Sequence, residues 1–219
     1  MILDQTGLYL DRHLMKGTKW FLVLELIVMF VIMPVLYVAD LLPVHKIIPL
    51  VVLLAYCSMV LLVNKPINPN RLSLRANWTL IAVRFVVISV MVMLLIRFYF
   101  HLDLIADLQK NRQLFYMILI YPLLSALPQE LIFREFFFYR YGKLFTNPTL
   151  LVAVNLVLFP FAHIYFANWI VIVFTLVGGA IFALTYRQTR SLLVVSIEHT
   201  LYGLMVLSSG LGEYFYKAF

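Results

Sequence analysis

An ionised side chain at bilayer depth costs about 2.5–3.5 kcal/mol on insertion scales, so ionisable residues inside long apolar runs are where chemistry is to be sought. Glu130, Arg134 and Glu135 share one such run, His163 lies in the next, and Glu198 and His199 lie in the last. Glu25 and Arg84 stand in runs of the first half. Glu130 and Arg134 are four apart, so on a helix they share a face and pair. Pro122 and Pro128 come just before, and proline in a membrane helix frees carbonyls that then need polar partners. This predicts a kinked or restarted helix that sets Glu130 in a polar, hydrated pocket. His163 follows Pro160 by three residues. Counted from the span ends at ~1.5 Å per residue, Glu130, His163 and His199 reach a similar intermediate depth.

A carboxylate and two imidazoles permit three kinds of chemistry. A carboxylate beside a histidine can take a proton from water and make the nucleophile for amide hydrolysis, while a second histidine donates to the developing oxyanion. The same three side chains can hold zinc with an open fourth position, although the helical HExxH motif is absent. They can also relay protons in a transporter, but the first three spans offer few polar residues for that.

What must position these groups is a membrane fold. The chain of 219 residues is 64% hydrophobic and 12% charged, with a mean hydropathy of +0.98. A soluble domain is about half apolar and a quarter charged, and this one would lack the polar residues to cover its surface. A bilayer core needs about 20 mostly apolar residues per helix. Such runs fall at 20–39, 47–63, 78–100, 114–141, 149–167, 168–186 and 191–210. The fold class predicted is all-α, a polytopic transmembrane bundle of about seven spans (six to eight), forming one integral membrane domain over 1–219. The strongest break is Asn64–Asn70 (NKPINPN). Between the fifth and sixth runs almost the only connector is Ala167 and Asn168, so one of the two is a candidate half-span or re-entrant piece.

The net charge of +7 sits in short clusters between apolar runs, which fits membrane orientation rather than nucleic acid. With the N-terminus cytoplasmic, ten basic residues (Arg12, Lys16, Lys19, Lys65, Arg71, Arg75, Arg140, Lys143, Arg187, Arg190) lie inside. Five (Lys46, Arg97, Lys110, Arg112, Lys217) lie outside. Residues 1–20 lack an uninterrupted apolar signal region, so the first run reads as an uncleaved span. With no eukaryotic targeting signal, a bacterial inner membrane is the expected location. The single Cys57 reads as a small buried hydrophobe.

The order Gln129-Glu130-x-x-x-Arg134, Phe159-x-x-x-His163 and His199 resembles the CPBP family of intramembrane proteases, which includes the type II CAAX prenyl endopeptidases (Rce1-like) and Abi-type bacterial members. Its motifs read EExxxR, FxxxH and HxxxN. The stretch 178–193, a glycine-containing helix running into Tyr186-Arg187-Gln188-Thr189-Arg190-Ser191-Leu192, resembles the family's approach to its last motif. The resemblance covers about 114–205. It implies a glutamate-dependent endopeptidase, with Glu130 and His163 activating water, His199 stabilising the oxyanion and Arg134 orienting the first motif. Gln129 replaces the first glutamate of that motif, to which the family's catalysis is assigned, and Gly203 replaces the asparagine of the third.

Tyr202, three residues after His199, is the expected substitute donor for the position of Gly203. Asn155, eight before His163, is either a packing hydrogen bond or a site donor. Gly178, Gly179 and Ala180 read as a close helix approach. Phe136–Phe138 read as lipid- or bundle-facing bulk. Trp20, Trp78, Trp169, Tyr139 and Tyr141 read as interfacial anchors. The expected function is peptide-bond hydrolysis in a membrane-associated protein or peptide, with membrane lipids as surroundings, no nucleic acid and no required cofactor. The alternative is an inactive relative serving as a membrane scaffold or bacteriocin-immunity-type binding protein.

Overall fold

The computed structural model describes residues 12–42, 47–64, 70–102, 112–145 and 147–216. Residues 1–11, residues 65–69 of the predicted break at Asn64–Asn70, and Lys46, Lys110 and Lys217 lie outside them. Each of the seven apolar runs is a helix: α1 (12–38), α2 (Ile47–Asn64), α3 (Trp78–Phe98), α4 (112–141), α5 (Pro148–Phe161), α6 (Trp169–Thr189) and α7 (Leu192–Leu207). A short α8 (Gly212–Tyr216) follows. No strand occurs among the described residues. Thr18–Val38, Trp78–Phe98, Pro148–Phe166 and Trp169–Thr189 are long and apolar enough to cross a membrane, and Ile48–Val63 and Leu192–Leu207 are shorter apolar helices. The chain is an integral membrane protein. The wider α4 carries three ionisable residues in its middle, and that sets it apart from a plain apolar span.

Side-chain caps mark where helices start. Asn77, Asn147 and Asn168 accept from the N–H groups of Leu80, Thr149 and Ile170, which satisfies amides that a helix start leaves open. Ser191 accepts from Val194 and donates to the Ser73 carbonyl at 2.6 Å, so one hydroxyl both starts α7 and ties the segment before α3 to it. The α5–α6 connection is longer than two residues. After Phe161 the chain makes a 3-10 turn over Ile164–Phe166, and Ala167 takes a left-handed conformation (φ 49°) before Asn168 opens α6.

The expected kink in α4 takes the form of two widened stretches. Pro122–Ala126 and Leu131–Phe136 follow i→i+5 bonding, with ordinary helix over Leu127–Glu130 between them. Proline lacks the N–H of the normal ladder, and such π-bulges re-aim the side chains around them. α7 lies along α4 and α6, and α5 lies along α6. Their shared core is aromatic: Phe133 meets Phe159 edge-on at 5.0 Å between centroids, and Phe30 of α1 meets Phe133 and Phe137. Phe136–Phe138 face the bundle and are buried. Tyr141, expected at an interface, is fully enclosed among Phe30, Phe136 and Phe137. Its place in the aromatic run outweighs the anchoring tendency of tyrosine. Trp20, Trp78 and Trp169 are exposed, and Cys57 is buried.

Gly179 explains how α5 and α6 approach. A Cβ there would come 2.9 Å from the Phe159 ring, so a larger residue would push the two helices apart. The same residue's carbonyl accepts from Arg134. Gly179 therefore serves close helix packing, as expected, whereas a Cβ on Gly178 would meet Phe182 of the same helix.

Candidate active site

Glu130 leaves α4 between the two widened stretches and has no exposed surface. Its Oε1 lies 2.7 Å from Nδ1 of His199, and its Oε2 lies 3.3 Å from Nε of Arg134. The predicted pair with Arg134 therefore forms, and His199 of α7 joins it. Arg134 is itself fully enclosed. It donates to Asn155 Oδ1 at 2.7 Å and to the carbonyls of Gly179 and Phe133, with Phe159 against its guanidinium. Asn155 donates in turn to the Phe133 carbonyl. Asn155 thus settles as a support for Arg134, and arginine can be held this deep because several acceptors meet its fork.

His199 is held by three aromatic rings. Phe182 stacks on it at 4.4 Å, and Tyr121 and Phe159 meet it edge-on at 6.0 and 6.1 Å. His163 packs on the other part of Phe159, with centroids 4.9 Å apart. Its Nδ1 contacts the Phe159 carbonyl at 2.8 Å, a group left free because the helix ends at Phe161. His163, His199, Gln129, Tyr121 and Tyr202 all line one cavity of about 1070 Å³, whose walls are mostly aliphatic and aromatic. Glu130 is not among the lining residues.

This differs from the expectation of an acid in a hydrated pocket. The α4 geometry turns Gln129 to the cavity, where it donates to Ser125 at 2.9 Å, and turns Glu130 into the protein against Arg134 and His199. The two positions are about 100° apart on a helix, and the widened stretches do not exchange them. Zinc held by Glu130, His163 and His199 is a second departure: no three Cys, His, Asp or Glu side chains among the described residues are grouped to hold a metal. Glu130 already spends one oxygen on Nδ1 of His199, and Nδ1 of His163 faces a carbonyl.

Tautomers follow from these contacts. A carbonyl only accepts, so His163 carries its proton on Nδ1; an ionised Glu130 likewise calls for the proton on Nδ1 of His199. In both neutral rings Nε2 then holds the lone pair.

Residues 111–205 match the family model described as type II CAAX prenyl endopeptidase Rce1-like. That segment is similar to the Rce1-like family. The match runs from the start of α4 to the last turns of α7 and so contains Glu130, His163 and His199. The resemblance read from the three motifs stands, over nearly the same residues. No curated protein and no solved structure matches the chain.

Two features escaped the sequence reading. Arg84 of α3 pairs with Glu198 and donates to Thr185 at 2.7 Å, so Glu198 turns away from the cavity while its neighbour His199 faces it. Tyr121 lines the cavity from α4, and its only signal in the sequence is indirect: the missing side chain at Gly203.

Proposed function

We propose that the chain is an intramembrane endopeptidase that hydrolyses a peptide bond in a membrane-associated protein or peptide. The observation that carries this is the 2.7 Å contact between Glu130 and Nδ1 of His199 beside a cavity large enough for a peptide segment. The Rce1-like match supports it. A carboxylate on Nδ1 fixes the imidazole's orientation and stabilises its charged form. Glu130 has no exposed surface and does not line the cavity, so in this reading His199 is the general base and Glu130 acts through it. Nε2 of His199 takes a proton from water, and the water oxygen bonds to the substrate carbonyl carbon. As the C–N bond breaks, His199 returns the proton to the leaving nitrogen. Nε2 of His163 is a second acceptor that holds the water. Gln129 keeps one amide N–H for the substrate after giving the other to Ser125. Arg134 balances the charge on Glu130. The arrangement suits a bacterial inner membrane with the N-terminus in the cytoplasm, the side where the basic residues gather.

The test is cleavage of a fluorogenic peptide library by the protein in vesicles. His199→Ala, His163→Ala and Glu130→Ala are each expected to abolish turnover while the protein still accumulates in the membrane. Full activity of the Glu130 variant refutes the dyad.

One observation favours a second reading, a non-proteolytic binding or immunity protein: the cavity-facing position of the first motif is an amide, Gln129, and not an acid. Rescue of a deletion phenotype by the His163→Ala protein would select that reading.

A further inference from the structure

The walls of the cavity are mostly apolar, and its two histidines offer acceptors rather than donors. With Nδ1 of both histidines engaged, each neutral ring presents a lone pair at Nε2, so neither can donate to a developing oxyanion while acting as base or acceptor. Peptide hydrolysis needs such a donor aimed at the carbonyl oxygen. Tyr121 is a residue of this cavity with a free hydroxyl. The hydroxyl end of the phenol lies against Gly203: a Cβ built on Gly203 would fall onto the hydroxyl and the adjoining ring carbons of Tyr121. Gly203 is four residues after His199 on α7, about one turn (~5.4 Å) along the same face. The ring of Tyr121 also meets the edge of His199 at 6.0 Å. No hydrogen bond within the described residues occupies its hydroxyl, and Tyr121 lines the same cavity as His163, His199 and Gln129.

We infer that Tyr121 is a catalytic residue, its phenolic O–H donating to the carbonyl oxygen as negative charge gathers there, and that Gly203 is small because the phenol occupies its side-chain space. This rests on the endopeptidase reading. In the step, the phenol keeps its proton: it shares it with the oxygen while the water O–C bond forms, and relinquishes the contact when the carbonyl re-forms and the C–N bond breaks. Tyr202, which the sequence suggested for this role, has its hydroxyl buried beside Arg84 and Glu198.

The experiment compares wild type, Tyr121→Phe, Gly203→Ala and the double variant in the vesicle assay, with His199→Ala as the inactive control. Tyr121→Phe keeps the ring against Gly203 and His199. It is expected to lower kcat about 100-fold, the typical loss for one oxyanion donor, with KM unchanged. Gly203→Ala displaces the phenol and is expected to lower kcat comparably although the hydroxyl is intact. The double variant is expected to fall no further than the lower single one, as coupled residues do. Tyr121→Phe turnover within about twofold of wild type overturns the assignment of Tyr121 and leaves the endopeptidase reading standing. A wild-type protein that cleaves no peptide, with His199→Ala indistinguishable from it, overturns both. A Tyr121→Phe loss confined to KM also overturns it, since that marks uniform substrate binding.

Discussion

Glu130 and Glu135 sit five residues apart on one helix, and both are fully enclosed, yet they are wired to different ends. Glu135 accepts from the Tyr186 hydroxyl at 2.6 Å and pairs with Arg71 at 3.4 Å. Those partners belong to the end of α6 and the segment before α3, which Ser191 also ties down. Glu130 meets Arg134 and then an imidazole that borders the cavity. Burial of a carboxylate is therefore no guide to its role here. What separates the two is the last group in the chain of contacts: a phenol and a guanidinium for one, an imidazole that lines the cavity for the other.

The sharpest way to break this contrast is to neutralise each acid without changing its shape. Glu130→Gln is expected to cut kcat about 10³-fold in the vesicle assay, because an amide cannot stabilise an imidazolium and its NH2 group favours the wrong tautomer of His199. Equal turnover by this variant and wild type would end the contrast. Glu135→Gln is expected to leave kcat within about twofold and instead lower resistance to unfolding by SDS in mixed micelles by about 1–3 kcal/mol, the range for weakening a buried charged hydrogen bond. A loss of kcat there at unchanged stability would show that the two acids are not separate.

How far the sequence reached follows the same division. The helical class and all seven apolar runs were legible, because lipid enforces long uninterrupted apolar segments and leaves little freedom in where they stop. The Glu130–Arg134 pair was legible because it is a property of one helix. Interhelical partners were not. That Glu198 turns to Arg84 and His199 to Glu130 depends on how α7 rotates between α3 and α4, and adjacent residues on a helix differ by about 100°. Which of Gln129 and Glu130 faces the cavity was hidden for a similar reason: the widened stretches at Pro122–Ala126 and Leu131–Phe136 set the rotation of α4, and no residue pattern states their register. The first half of the chain shows the other limit. The α6 window is 50% buried, against 22% for Thr18–Val38 and 17% for Trp78–Phe98. Sequence hydropathy is nearly blind to this difference, because lipid-facing and core-facing positions are both apolar.

The smallest expected effect tests the contrast at its finest grain, between two tyrosines of one cavity. Tyr202 packs its ring between Phe85 at 5.2 Å and Phe182 at 6.1 Å, and its buried hydroxyl lies beside Arg84 with no well-formed hydrogen bond among the described residues. It borders the Arg84–Glu198 pair, which like Glu135 closes on itself and reaches no substrate. Removing a hydroxyl that makes no well-formed hydrogen bond among the described residues strands little. Tyr202→Phe is therefore expected to hold kcat within about twofold and to change stability by less than about 0.5 kcal/mol in the same micelle assay. Tyr121→Phe, an identical chemical change one helix away, is expected to lose two orders of magnitude in rate. A Tyr202→Phe protein that loses rate while Tyr121→Phe keeps it would reverse the two roles. The oxyanion donor would then lie on α7 beside the Arg84–Glu198 pair, and that pair would belong to the site.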